Sequence, residues 1–420
     1  MILLDVALST TILLSVAVFL LVTLLLVAGL LYTKQKLTPE GLLTVSVNDG
    51  ERLVETEAGS SLLTVLSSHK IFLPSACGGG ATCGMCRCEV TEGAGTVLPT
   101  ETGFFTRKEL SEHWRLACQV KVREDVFMKI PHHILGIKKW ECEVISNNNV
   151  ATFIKEFVVK LPNGERLDFK SGGYIQIDVP ETSVDFNTIE VGALYREEWE
   201  RMGIFGLKMT NSEPTFRAYS MANHPAEDNI IMLNIRIATP PWNRETRAFK
   251  NINPGICSSY IFSRKPGDKV LISGPYGEFF LKDTNREMMF IGGGAGMAPM
   301  RSHIFHLFHT LKTGRQVSFW YGARSKKEIF YEDDFKAIEK AFPNFKFTIA
   351  LSEPLPEDHW SGATGFIHNV ISDQYLTCHE EPEDIEYYLC GPPMMNEAVT
   401  KLLYNLGVPD EMVMYDDFGG

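Results

Sequence analysis

The sequence predicts a multidomain chain: an N-terminal transmembrane helix, a small cysteine-bearing β domain, an antiparallel β-barrel and a C-terminal α/β domain. Three observations predict it. Residues 6–33 carry no charge; three cysteines, Cys77, Cys83 and Cys86, sit in one glycine-rich loop; and residues 287–311 read strand, glycine loop, helix, in that order. The 420 residues suit two to four domains. With 45% hydrophobic and 22% charged residues the chain falls in the globular range. Its formal charge of −12 repels phosphate backbones, and no basic patch offsets it, so nucleic acid is not an expected partner.

The first element, residues 1–35, reads as a retained membrane anchor. As a helix its uncharged run is about 42 Å long against a hydrocarbon core of about 30 Å, so it spans with tilt. A cleaved signal would begin with a basic region, whereas this chain begins Met-Ile-Leu-Leu-Asp. Asp5 precedes the run and Lys34 and Lys36 follow it, which puts the bulk of the chain on the cytoplasmic side of the bilayer, where thiols stay reduced. Ala7, Thr11 and Ser15 recur every four residues, either as a close-packing face for a partner helix or as ordinary scatter.

The second domain, residues 36–134, opens with strand-like alternation, a turn at Asn48-Asp-Gly50, and a short helix begun by a Ser cap near residue 61. Cys77-x5-Cys83-x2-Cys86 follows, and Cys118 comes after a gap of 31 residues, at the start of another apolar strand. Four thiolates suit a [2Fe-2S] cluster. Glycines let the loop adopt positive φ and aim backbone N–H groups at the sulfides. Zinc with four cysteines usually shows two short Cys pairs, and here only Cys83 and Cys86 form one. Cys88 is near enough that spacing leaves it open as a ligand.

The third domain, residues 135–284, has β-branched runs separated by Gly, Pro and Asn turns, the pattern of an antiparallel barrel. Strand alternation puts Arg217 and Tyr219 on one face and Ser220 on the other, presenting a guanidinium for a pyrophosphate beside a phenol for a flavin ring. Gly255, Cys257 and Ser258 open a helix-like stretch whose N–H groups and hydroxyl suit a phosphate. Residues 181–213 interrupt the barrel with a charged, aromatic insert, by default a solvated loop containing a helix, alternatively a docking surface.

The fourth domain, residues 285–420, carries Gly292, Gly293, Gly294 and Gly296 at the strand–helix turn and Pro299 at a first helical position, the geometry of a pyrophosphate site. Pro299 replaces the third glycine of an ordinary dinucleotide fingerprint. A further buried strand ends in the turn Cys390-Gly391-Pro392. Arg324, Lys326 and Lys327 are placed to receive a 2′-phosphate, which leaves NADPH open.

The cysteine loop resembles the plant-type ferredoxins, with five residues between the first two cysteines where those have four. The resemblance implies a β-grasp [2Fe-2S] domain. Arg217-Ala-Tyr-Ser220, Gly255-Ile-Cys-Ser258 and the loop from Gly292 to Pro299 resemble the ferredoxin–NADP reductase superfamily, which implies FAD on the barrel and a nicotinamide on the α/β domain. Taken in this order behind an anchor, with the terminal YDDFGG, the parts resemble the NADH-oxidising member of the sodium-translocating NADH:quinone oxidoreductases. That resemblance implies NADH as substrate, a bacterial inner-membrane complex with other integral subunits, ubiquinone reduced indirectly, and sodium transport. It also implies that Phe418 covers the flavin and that Cys390 lines the hydride pocket; from sequence alone Phe418 is a tail residue and Cys390 a small buried hydrophobe. A nicotinamide gives two electrons, a cluster takes one, and a flavin can hold either number, so the expected order is NADH, FAD, cluster. The alternatives are the reductase component of a multicomponent oxygenase, which lacks the anchor, and a membrane-tethered redox sensor, which needs no Gly292–Pro299 loop.

Overall fold

The computed structural model describes residues 2–37, 41–243 and 245–416; the side chains of 2–13, 31, 33–37 and 133 are outside that description. Phe418 therefore lies outside the described residues, as do the side chains of Asp5, Ala7, Thr11, Lys34 and Lys36. The chain divides into two compact units, residues 1–74 with 79–136, and residues 75–78 with 137–420.

In the first unit α1 (Ile2–Leu37) is one unbroken helix. Its described side chains, residues 14–30 and 32, are all exposed, among them Phe19 at 71%. Among the described residues no helix is long and apolar enough to cross a membrane. Beyond it, β1 (Leu42–Val47) and β2 (Arg52–Glu57) form the expected hairpin, closed through Asn48, Asp49 and Gly50, all at positive φ. Next come α2 (Leu62–Ser68), β3 (Arg87–Glu92), α3 (Arg107–Ser111), β4 (Trp114–Leu116) and β5 (Val126–Lys129). Ser61 caps α2 by accepting from the Thr64 N–H. The sheet order is β2-β1-β5-β3-β4, with β1 and β5 parallel and the other pairs antiparallel. Cys118 lies in the turn beyond β4, not at the start of a strand: β4 ends at Leu116 because the chain must turn there to bring Gln119 and Val120 back onto Leu116.

The second unit begins with β6 (Lys138–Ala151), β7 (Ile154–Lys160) and β8 (Tyr174–Val179). The insert follows as β9 (Thr182–Asp185), α4 (Ala193–Arg201) and β10 (Lys208–Asn211); then β11 (Thr215–Ser220), β12 (Ile230–Arg236), a small ribbon of β13 (Trp242–Asn243) and β14 (Ala248–Phe249), α5 (Ile256–Phe262) and β15 (Lys269–Tyr276). Six strands run antiparallel in the order β11-β8-β15-β6-β7-β12, and a bridge from Met221 to Leu233 joins the two outer strands into the predicted barrel. The insert is not a solvated loop. Val184, Phe186, Ile189, Trp199, Ile204 and Met209 pack into the barrel core, because one face of each insert element is apolar and the barrel leaves that side to be covered.

The α/β lobe holds β16 (Met288–Gly293), α6 (Met297–Phe305), β17 (Val317–Ala323), α7 (Glu332–Ala341), β18 (Phe345–Leu351), β19 (Ala363–Thr364), α8 (Ile367–Gln374), β20 (Glu386–Cys390), α9 (Pro393–Asn405) and β21 (Val413–Tyr415). All six strands are parallel, in the order β19-β18-β17-β16-β20-β21, with separate apolar cores on the two faces. The chain winds one way from β16 to β19 and the other from β20 to β21, so the direction reverses between β16 and β20. Ligands bind at the carboxyl ends of strands at such a reversal. Pro299 is the third residue of α6 rather than the first; it is tolerated because no N–H in the first turn has an intrahelical acceptor.

Barrel and α/β lobe are joined by buried polar contacts. Arg301 of α6 donates to both carboxylate oxygens of Glu227 at 2.8 Å and to the Ala222 carbonyl at 2.9 Å, and the Ser302 hydroxyl donates to the Asn223 carbonyl. Burial opposes the Glu227 charge, but the Arg301 hydrogen bonds still hold its carboxyl below the usual range.

Candidate functional site

The cysteine loop is shaped by its strands. Arg87 at the start of β3 pairs with Leu116 at the end of β4, and the Ala117 N–H donates to the Cys86 carbonyl at 2.8 Å. Cys86 and Cys118 therefore emerge side by side, both buried, with their thiols hydrogen-bonded to each other. That contact, then burial, pushes the Cys86 thiol far up. Two thiolates occupy this space only if a cation stands between them, so the donor chemistry fits a metal cluster. Cys83 is half-buried, as is Cys77 in the 75–78 segment. Gly79 and Gly84 have φ of 92° and 66°, and a Cβ on Gly84 would lie 2.4 Å from the Phe104 ring. Among the described residues no group of three or more His, Cys, Asp or Glu side chains is gathered closely enough to hold a single metal ion.

Cys88, which spacing leaves open, is a core thiol: it donates to the Arg115 carbonyl at 3.8 Å, and burial pushes it up to about 12. Two supports are invisible in the sequence. Glu101 and Arg115 form a buried ion pair, and Glu101 also accepts from the Leu116 N–H at 3.0 Å, fixing the end of β4 that presents Cys118. The Gln119 amide donates to the Cys118 sulfur at 3.6 Å and is itself oriented by Thr100 at 2.7 Å. Hydrogen bonds to ligand sulfurs are among the factors that set a cluster's potential.

On the barrel, Arg217 and Tyr219 share the face of β11 that looks toward α5. Tyr219 is pushed well up by burial first, then by Cys257, and lowered by Arg217, so these three side chains are in electrostatic range of one another. Gly255 caps α5 without a side-chain bond, leaving first-turn N–H groups for an anion. A Cβ there would lie 2.5 Å from Ala238, so the close approach requires glycine. The Ser258 hydroxyl is committed within this turn, accepting from the Ala238 N–H at 3.1 Å and donating to the Gly255 carbonyl. Ser220, on the opposite face as alternation predicts, donates to Asp416 at 2.5 Å, which brings the chain just before the terminus to the RAYS strand. These features fit a flavin dinucleotide: an anion seat, a guanidinium and a phenol on adjoining elements.

At the strand reversal the loops after β16 and β20 touch. A Cβ on Gly296 would lie 1.9 Å from the Cys390 carbonyl oxygen, and one on Gly293 would lie 2.9 Å from the Met395 sulfur and 3.3 Å from Pro392. Gly294 has φ 57°. Beside them opens a cavity of about 440 Å³, lined by Gly293, Gly294, Arg324, Ser352, Phe366 and Pro392 from the α/β lobe and by Phe153, Ile154 and Arg236 from the barrel. That volume is typical of small-ligand sites. Gly391 packs against Met395 beside it, and Gly292 sits beneath the loop against Phe319 and Met300. Cys390 is wholly buried in the core and does not line the cavity.

The barrel wall of this cavity is held from two directions. Glu328 accepts from the Thr152 N–H at 3.2 Å and from its hydroxyl, while Trp199 of the insert donates to the Thr152 carbonyl at 2.7 Å. Thr152 immediately precedes Phe153 and Ile154. Sequence reasoning misses this arrangement, since its partners lie 47 and 176 positions away and no local pattern links them.

Comparison with known proteins covers nearly all of these elements. Residues 45–123 match the family described as 2Fe-2S iron-sulfur cluster binding domain, residues 204–281 the oxidoreductase FAD-binding domain, and residues 290–401 the oxidoreductase NAD-binding domain. Over its length the chain is similar to the F subunit of the Na(+)-translocating NADH-quinone reductase of Psychrobacter cryohalolentis, at 53% identity over 406 residues, 96% of this chain and 98% of that one. The same subunit of the Yersinia enterocolitica reductase is 53% identical over 410 residues, 97% of this chain and 100% of that one. Among solved structures, an Amycolatopsis cytochrome P450 reductase superposes with a TM-score of 0.60 at 22% identity, covering 90% of this chain and 98% of that one. A ferredoxin reductase in carbazole 1,9a-dioxygenase does so with 0.58 at 23%, with the same coverage; both likenesses speak to fold alone.

Proposed function

The chain belongs to the family of F subunits of the Na(+)-translocating NADH-quinone reductases, and from that premise we propose that it is the subunit through which NADH electrons enter a sodium-pumping, membrane-bound NADH:ubiquinone oxidoreductase. The observation that carries the reading is the joint presence, in one chain similar to that subunit end to end, of cluster, FAD and NAD domains, with a crevice at the strand reversal of the last.

When bound, FAD accepts hydride and the [2Fe-2S] cluster passes single electrons onward, so the order NADH, FAD, cluster follows from electron count. The protein's part is placement. Arg217 and the backbone N–H groups of the α5 N-terminus, at Gly255, Cys257 and Ser258, would hold the flavin's pyrophosphate, and Tyr219 would serve its ring. Gly292, Gly293, Gly294 and Gly296 let the backbone approach the nicotinamide's pyrophosphate, while Gly391 and Pro392 shape the opposite wall. Cys390 packs beneath the Gly296 turn, and Phe418 is the residue that would cover the flavin. Cys77, Cys83, Cys86 and Cys118 would ligate the cluster. Hydride transfer itself needs no side-chain base.

In this reading the domains span 36–134, 135–284 and 285–420. Residues 6–33 anchor them in the inner membrane, with Lys34 and Lys36 on the cytoplasmic side. Other integral subunits then take the electrons toward ubiquinone. The test is purification of the chain from native membranes. It should arrive with integral partner subunits, and the NADH–quinone activity of the preparation should be stimulated by sodium; a chain that purifies alone, with sodium-indifferent activity, overturns the proposal.

A further inference from the structure

Arg324 lines the cavity, and Lys326 and Lys327 follow it in the chain, a basic run of the kind that binds the 2′-phosphate of NADPH. The structure surrounds that run with carboxylates from three separate segments. The ends of β17 and β18 lie side by side: the Ser352 N–H donates to the Ala323 carbonyl at 2.9 Å and the Glu353 N–H to the Arg324 carbonyl at 2.7 Å. This register brings the two side chains together, and Arg324 donates through Nη2 and Nε to one Glu353 oxygen at 3.0 and 3.3 Å. Asp358 accepts from the Lys326 and Leu355 backbone N–H groups at 3.0 and 2.9 Å, and those bonds, with Lys326 and Lys327, hold its carboxyl below the usual range. The third carboxylate comes from the insert. Glu198 on α4 is held down first by Arg201 and then by Arg324 and Lys327, which puts it within electrostatic range of the same basic run.

With the crevice read as the nicotinamide site, a dinucleotide's pyrophosphate would lie at the Gly293–Gly294 turn and its adenosine end here, because the cavity continues from that turn across the ends of β17 and β18 to Arg324 and Ser352. A 2′-phosphate would bring close to two negative charges into this end. It would have to detach Arg324 from Glu353 and then sit beside the Glu353 carboxylate; a 2′-hydroxyl meets neither obstacle. Like charges set against an unwanted ligand are a common source of specificity.

We propose that Glu353 makes this crevice select NADH over NADPH by occupying Arg324 and repelling a 2′-phosphate. The inference rests on the reading of the crevice as the nicotinamide site.

The experiment uses the full chain in detergent with ferricyanide as acceptor, comparing kcat/KM for NADPH and for NADH. In Glu353→Gln the NADPH/NADH ratio should rise at least about tenfold, the scale of one close charge interaction. The gain should shrink at high salt. Replacing Arg324 by Ala in the Glu353→Gln background should remove the gain. An unchanged ratio in Glu353→Gln, with NADH still oxidised, overturns the proposal, as does a gain that survives the loss of Arg324. A parent chain that keeps its flavin yet oxidises neither nucleotide would instead overturn the reading of the crevice.

Discussion

The cysteine loop and the crevice at the strand reversal, read as the seats of a cluster and a dinucleotide, gather their side chains in opposite ways. Cys77, Cys83 and Cys86 lie within ten residues of sequence, and one strand pair, β3 with β4, brings Cys118 to Cys86. The crevice draws Phe153, Arg236, Gly293, Arg324, Phe366 and Pro392 from six segments spread across more than half the chain. A cluster is held by coordinate bonds to a few atoms, so a short loop suffices and each ligand is indispensable. A dinucleotide is held by many weak contacts over a long body, so the site must be assembled by the fold, and no single residue should be all-or-none.

Two substitutions would break that contrast if it is wrong. Cys86→Ala should have the largest effect in the molecule: complete loss of the cluster's EPR signal and of iron in the purified chain, with NADH still bleaching the flavin. Retained iron at the parental level would mean that the ligand set is not the one described. Gly296→Ala comes next. Its Cβ would sit 1.9 Å from the Cys390 carbonyl, a backbone atom that cannot swing aside, so the turn itself must move. We expect a fall of about 100-fold in kcat/KM for NADH, equivalent to roughly 2.7 kcal/mol, with flavin content preserved. A change of less than about threefold would show that the turn adapts and that its closeness to β20 is incidental.

The same contrast explains what can be read from the sequence. The cysteine spacing, the glycine loop after an apolar strand and the RAYS tetrapeptide are local signals, each imposed by chemistry within a few residues, and the barrel, the parallel sheet and most elements follow from hydrophobic period. What stays hidden is set by partners far along the chain. Nothing near Trp199 announces Thr152, nothing near Ser220 announces Asp416, and nothing near Arg324 announces Glu353 or Glu198. The insert misleads for the same reason: its charge count suggests solvent, while its apolar face belongs to the barrel core. Cys118 reads as a strand residue because the apolar residues around it resemble one, although Leu116 already ends the ladder.

The smallest effect is the most informative about the distributed site. Trp199→Phe keeps an aromatic ring in the insert's core but removes the hydrogen bond to the Thr152 carbonyl, leaving that buried acceptor unpaired at a cost of about 1–3 kcal/mol. Because Glu328 still holds the N–H and hydroxyl of Thr152, the turn should loosen rather than collapse, and the residues that follow it, Phe153 and Ile154, form one wall of the crevice. If that wall serves NADH binding, KM for NADH should rise about threefold, or about 0.65 kcal/mol, while kcat at saturating NADH stays within error. A lowered Tm with an unchanged KM would confine Trp199 to the stability of the barrel. The expected split between KM and kcat would show that a residue 47 positions away, outside every recognisable motif, helps shape the nucleotide site.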